Sequence, residues 1–140
     1  MNKWLGFDLG TQTLGIAIGQ RQGFIFPRPV YRFPKGAYGI VQKQILVLIQ
    51  EEHVNHLVFG LPVNMNGTSS ERTKSVERFV QDLRLALPQA IIETTNEQLT
   101  TIEAKERLAA LGYNEKKQKE LIDSMAAVII LEQYLKNHGT

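Results

Sequence analysis

Apolar and polar positions alternate from the start of the chain. Between Lys3 and Leu9, Leu5, Phe7 and Leu9 share one face and Trp4, Gly6 and Asp8 the other, which predicts a strand. Gly10-Thr11-Gln12 reads as a tight turn. Alternation resumes over residues 14–19, with Leu14, Ile16 and Ile18 on one face and Gly15, Ala17 and Gly19 on the other. Two such segments joined by a short turn predict a hairpin. The very small residues of its second face leave room for something bulky to approach closely. Residues 24–33 read as a third extended segment. Pro27 and Pro29 lack the N–H that a central strand donates, so this segment belongs at an edge or is irregular there.

The period then changes. Over residues 37–52, Val41, Ile45, Leu48 and Ile49 recur at the spacing of one helical face. Leu57-Val58-Phe59 is a continuous apolar run ending at Gly60, as in strands buried on both faces of a parallel sheet. Residues 60–67, from Gly60-Leu61-Pro62 to Asn66-Gly67, read as a loop. Thr68 followed by Glu71 fits a capping box. The helix it opens carries Val76, Phe79, Val80, Leu83 and Leu87 on one face, and Pro88 stops it. Residues 90–95 predict a strand. Thr100 and Glu103 fit a second capping box, for a helix ending near Leu111-Gly112. Residues 116–136 predict a last helix, apolar on nearly every side from 125 to 131. The order β-β-β-α-β-α-β-α-α predicts one α/β domain over residues 1–140. An antiparallel unit is followed by parallel crossovers, giving a mixed sheet with helices on both faces.

Composition narrows the classes only a little. The 140 residues are 43% hydrophobic and 21% charged, which suits a globular protein and excludes a disordered tail. The chain has no cysteine, which excludes disulfides, Cys-ligated zinc, iron–sulfur clusters and thiol catalysis. A net charge of +2 permits nucleic-acid binding without demanding it. The apolar run at 125–131 is too short to span a bilayer. Met1-Asn2-Lys3-Trp4 runs into Gly6 with no apolar leader core, so the expectation is a cytoplasmic protein with no membrane partner.

Three acids stand out against this framework. Asp8 ends the first strand on its glycine-rich side, Glu97 follows the last strand, and Asp123 lies one turn before the apolar stretch of the final helix. If the first, fourth and fifth strands run parallel, their C-terminal ends share the edge where open α/β sheets bind ligands. Asp8, the Gly60 loop and Glu97 then converge there, and a helix beside the first strand adds Asp123. Clustered carboxylates repel, and hard divalent cations with a preference for oxygen relieve the repulsion. Mg²⁺ or Mn²⁺ so held is a recurrent device for phosphodiester cleavage. Singly, each acid has a plainer role: Asp8 in a turn, Glu97 in a solvated loop, Asp123 on a helix surface near Lys116 and Lys119. The joint placement carries the argument. Arg72, Lys74 and Arg78 sit opposite the apolar stripe of their helix, where they are phosphate contacts if that helix borders the cleft. His53, His56 and His138 form no ligand spacing, and Ser124 has no histidine placed to activate it.

Together these motifs resemble the YqgF/RuvX family over essentially the whole chain. The likeness rests on Gly6-Phe7-Asp8-Leu9-Gly10-Thr11 with Gly15-Ile16-Ala17, and on Gly60-Leu61-Pro62 with Asn64-Met65-Asn66-Gly67. It continues in Glu97-Gln98-Leu99-Thr100-Thr101 with Glu103-Ala104, and in Asp123-Ser124-Met125-Ala126-Ala127 with Ile129-Ile130-Leu131. The resemblance implies a ribonuclease H-like fold and a metal-dependent phosphodiesterase with Asp8, Glu97 and Asp123 as catalytic acids. It implies a nucleic-acid partner, precursor 16S ribosomal RNA in the first place and branched DNA as the alternative. The chain departs from the family pattern at Gln12 and Thr13, where a basic residue is common, and at Asn66, Asn96 and Gln98. These changes bear on substrate affinity more than on metal binding. A nucleic-acid-binding assembly factor without turnover is a second class. Asp8-Leu9-Gly10-Thr11 also resembles the opening of sugar-kinase and actin-like proteins, but 140 residues supply only half of such a two-domain nucleotide site.

Overall fold

Five strands lie side by side, and the order in which they do so brings three strand ends to one edge. The computed structural model describes residues 3–20, 23–64, 66–97 and 100–138. The elements are β1 (Lys3–Leu9), β2 (Thr13–Gln20), β3 (Ile25–Arg32), α1 (Tyr38–Glu52), β4 (His56–Pro62), α2 (Glu71–Ala86), β5 (Ile91–Glu97), α3 (Thr100–Ala110) and α4 (Glu115–His138). The sheet order is β3-β2-β1-β4-β5. β1 and β2 form the antiparallel hairpin, with Asp8 opposite Gly15, and β3 is an edge strand antiparallel to β2. β4 runs parallel to both β1 and β5. The pairing of β2 with β3 slips between Leu14 and Ile16, on the proline-bearing edge.

The two faces of the sheet are covered differently. On one, Leu5, Phe7, Leu9, Leu14 and Ile16 interlock with Val41, Ile45 and Leu48 of α1 and with Val76, Phe79 and Leu83 of α2. Phe7 stacks on Phe59 with ring centroids 4.9 Å apart. On the other face α4 lies across β1, β2 and β3. Ala17 meets Ala127 and Val128 there, and Trp4 and Val58 meet Ile130, Leu131 and Tyr134. The Ser124 hydroxyl, fully buried, donates to the Arg28 carbonyl at 2.5 Å and ties α4 to the edge strand. α3 packs on α4, and Arg107 bridges Glu103 and Glu132 at 2.9 and 2.7 Å.

Three local expectations are corrected. Gly60-Leu61-Pro62 is not loop but the last part of β4, because its backbone pairs with Thr95, Asn96 and Glu97 of β5. Glu97 is accordingly the final residue of its strand rather than a residue beyond it. The capping box of α2 belongs to Ser70 and Thr73, whose side chains and backbone N–H groups satisfy each other. Thr68 instead donates to the Asn66 side chain, from its backbone N–H at 3.1 Å and from its hydroxyl at 2.6 Å. Met65, Gln98, Leu99 and the side chains of Thr100, Thr101 and His138 lie outside the described residues. Among the described residues no helix is long and apolar enough to cross a membrane.

Candidate active site

A cavity of about 330 Å³ opens at the C-terminal ends of the parallel strands. Asp8, Glu97 and Asp123 line it together with Arg72, and the turn at Gly10–Thr13 forms a further wall. Three separate elements therefore deliver the three acids: β1, β5 and α4.

Each is positioned by backbone constraints. The turn after β1 closes through Gly10 N–H donating to the Thr13 carbonyl at 2.8 Å. It is held from outside by Gly36 N–H on the Thr11 carbonyl, 2.9 Å, and Phe33 N–H on the Gln12 carbonyl, 3.0 Å. Asp123 reaches the cavity because α4 comes down onto β2 at Gly15. A Cβ at Gly15 would stand 2.0 Å from the Asp123 carbonyl oxygen, so no other residue type fits without moving the helix. Gly60 leaves room for the Glu97 carboxylate, since a Cβ there would lie 2.9 Å from Glu97 Oε2 and 2.5 Å from Ile130 Cδ1. Two contacts pin the start of α2 against the strand ends. The Thr73 hydroxyl donates to the Pro62 carbonyl, and Arg72 Nη2 donates to the Leu9 carbonyl at 3.0 Å.

The acids feel one another. Burial pushes the Asp8 carboxyl from 3.8 up to about 6; the Asp123 charge adds to the rise and the Arg72 guanidinium opposes it. Burial pushes Glu97 from 4.5 up to about 7, with Asp8 adding to the rise and Arg72 again opposing it. Asp8 is thus common to two interacting carboxylate pairs, with one guanidinium beside both. These are hard oxygen donors of high negative charge density, the chemistry that Mg²⁺ and Mn²⁺ favour. The fit is to carboxylate pairs: among the described residues no group of three His, Asp or Glu side chains is arranged to hold one ion.

Of the basic residues singled out from sequence, Arg72 alone lines this cavity. Lys74, 61% exposed, reaches Glu71 at 3.8 Å, and Arg78 is exposed further along α2. His56 stacks on Trp4, and His53 caps α1 with a left-handed backbone, φ 55°. Thr73, which pins the start of α2 beside the cavity, is not singled out in the sequence. The Ser70-x-x-Thr73 spacing was the available signal for Thr73.

The class follows from the sheet. A mixed sheet in this strand order, flanked by helices on both faces, is the ribonuclease H-like fold, and solved structures bear it out. RuvC of Thermus thermophilus in complex with a Holliday junction substrate matches all of this chain and 98% of its own, with a TM-score of 0.62 at 12% identity. A second Thermus thermophilus RuvC structure matches 99% and 97%, with a TM-score of 0.56. The chain belongs to the family described as "RuvX: Holliday junction resolvase", whose model matches residues 2–137. Relatives named "Putative pre-16S rRNA nuclease" include one of Geobacillus kaustophilus, 38% identical over 136 residues, covering 94% of this chain and 95% of the relative. Another, of Shewanella oneidensis, is 39% identical over 135 residues, covering 96% and 94%.

Proposed function

We propose that this chain is a nuclease that hydrolyses phosphodiester bonds at the 5′ end of precursor 16S ribosomal RNA, with Asp8, Glu97 and Asp123 as its catalytic and metal-binding carboxylates. The observation that carries the reading is the convergence of three acids, from three elements, on one cavity. Fold stability does not call for such a cluster, because buried like charges oppose folding. A cluster kept at that cost marks a site made for a cation. The names of the relatives support the substrate.

Mg²⁺ or Mn²⁺, held by Asp8 with Asp123 and by Asp8 with Glu97, would supply a Lewis acid for the phosphate and lower the pKa of an attacking water. The chain's own residues do the rest. Asp8 sits between the other two acids and so sets the centre of the site. Arg72 spends one donor on the Leu9 carbonyl, and its remaining N–H groups suit a phosphate oxygen. The Gly10–Thr13 turn, fixed by three backbone hydrogen bonds, confines the approach of the strand to be cut. Lys74 and Arg78, on the exposed side of α2, extend the phosphate track beyond the cavity.

The test is cleavage of a panel of precursor ribosomal RNA ends, single strands, duplexes and four-way junctions, with magnesium and with manganese. Precursor-end cleavage that Asp8→Asn, Glu97→Gln and Asp123→Asn each abolish is the expected result. The family description favours a second reading, resolution of branched DNA by the same residues. Cleavage of the junctions alone would select it. Binding without cleavage under both metals would make the chain an assembly factor instead.

A further inference from the structure

Arg72 lines two cavities. Besides the acid cavity, it borders a smaller one of about 160 Å³ on the far side of the Gly10–Thr11 turn. Leu9, Thr11, Tyr38, Ser75 and Val76 form its other walls. This volume is about half the lower bound of ~300 Å³ for drug-sized sites, so it suits one planar ring system and not a base pair. Its walls are stiff. The Tyr38 ring is held edge-on against Phe79 with centroids 5.8 Å apart and packs against Phe33 at 6.1 Å. Thr11 is fixed by the Gly36 N–H at 2.9 Å. Glu71 at the rim has its charge partnered by Lys74 at 3.8 Å.

An apolar slot beside an anionic-ligand cavity, with one guanidinium serving both, matches the two halves of a nucleotide. A guanidinium offers a flat face for a ring and edge donors for phosphate oxygen. We propose that the smaller cavity receives one unstacked base of a single-stranded nucleic acid, next to the phosphate that enters the acid cavity. The inference rests on the nuclease reading for what fills the acid cavity. It adds that the substrate is open-stranded at the point of contact, because a paired base cannot leave its stack to enter the slot without the cost of unpairing.

The experiment measures binding, not cleavage, so that the two readings fail separately. Fluorescence anisotropy with calcium in place of magnesium, so that a phosphate can enter the acid cavity, compares a short oligouridylate with an abasic oligonucleotide of equal length and charge. The parent protein is expected to bind the base-bearing strand more tightly by roughly five- to a hundredfold, the range for one stacked base. Ser75→Leu, which fills the slot, should bring the oligouridylate down to the abasic level and leave abasic binding unchanged. Ser75→Ala should behave as the parent. Arg72→Lys keeps the charge and loses the flat face, so it should shrink the base preference by itself, which covers the case of a Ser75→Leu protein that fails to fold. Equal binding of the two strands by the parent overturns the inference and leaves the nuclease reading standing. Equal losses on both strands in Ser75→Leu do the same. Base-dependent binding with no cleavage of any panel member keeps the slot and removes the nuclease. No binding of either strand overturns the slot and leaves the nuclease reading to the cleavage panel.

Discussion

The two faces of the sheet solve the same packing problem in opposite ways. Toward α1 and α2, large side chains interdigitate, and Leu5, Phe7 and Phe59 are fully buried among the helix residues that meet them. Toward α4, side chains interlock only around Trp4 and Val58; nearer the acids the sheet presents Gly15 and Ala17, and the helix backbone itself comes into contact. Interdigitated side chains yield stability and can relax around a defect. Backbone contact leaves no slack, and it fixes where Asp123 stands. The first face holds the sheet together; the second sets the geometry of the acid cavity. Damage to the two should therefore separate stability from activity.

The largest stability effect belongs to the first face. Phe59→Ala should cost about 3–5 kcal/mol, with cleavage per folded molecule nearly unchanged. Denaturant titration together with rates corrected for the folded fraction checks both halves. Gly15→Ala should cost less stability, about 1–3 kcal/mol as overpacking does, yet reduce cleavage far more than Phe59→Ala. The added methyl would meet the Asp123 carbonyl carbon at 2.5 Å, and that backbone has to move. Equal activity losses per folded molecule in the two variants would erase the distinction between the faces.

The same contrast explains what could be read from the sequence. Every strand and helix was legible, because alternation and the helical period are local signals that the core then rewards. The small face from Gly15 to Gly19 announced a close neighbour: α4 is that neighbour at Gly15 and Ala17, and Ile25 of β3 at Gly19. What failed was local pattern without its tertiary partner. Gly60-Leu61-Pro62 has turn-forming composition, and only pairing with β5, some 35 residues on, makes it strand. Thr68/Glu71 and Ser70/Thr73 both fit a capping pattern; the bond from Thr73 to the Pro62 carbonyl selects the second. At the site, Asp8 and Glu97 were visible from strand ends, while Asp123 needed the topology. The separation of Arg72 from Lys74 and Arg78 was not legible, since it depends on how α2 is rotated against the strand ends.

The acid cavity contributes the next effect. Asp8 and Glu97 ordinarily titrate at 3.8 and 4.5, and in the fold they titrate at about 6 and about 7. Between those ranges the folded protein binds more protons than the unfolded chain. Stability of the metal-free protein should therefore fall as pH rises from about 4 to about 7 and level off above. The loss is on the order of a few kcal/mol, at about 1.4 kcal/mol for each pH unit by which a carboxyl is raised, with the Glu97 part reduced by solvent. Thermal melts in chelator should show the gap between Asp8→Asn and the parent widening across this range. Asp123→Asn, which removes a charge that burdens Asp8, should also raise the metal-free melting point. Magnesium at a hundredfold excess over its dissociation constant should stabilise the parent by about 2.7 kcal/mol and Asp123→Asn much less. A parent indifferent to magnesium would leave the carboxylates without their cation.

The smallest effects are expected on α2, where one of three cations lines the cavity and two do not. Arg72 donates to the Leu9 carbonyl and stands beside Asp8 and Glu97, so its charge is fixed where a phosphate would enter. Lys74 is exposed and shared with Glu71, and Arg78 lies outside the cavity lining. A cation that meets one phosphate of a single strand changes the slope of log affinity against log salt by about 0.7. Arg72→Ala should remove that amount and weaken binding of a short single-stranded RNA at every salt concentration. Lys74→Ala and Arg78→Ala should each change stability by less than about 0.5 kcal/mol, as exposed charges do. If the strand continues along α2 beyond the cavity, each of them also lowers the slope by up to about 0.7. Slopes identical to the parent in both would end the nucleic acid's path at Arg72 and leave Lys74 and Arg78 as solvated surface.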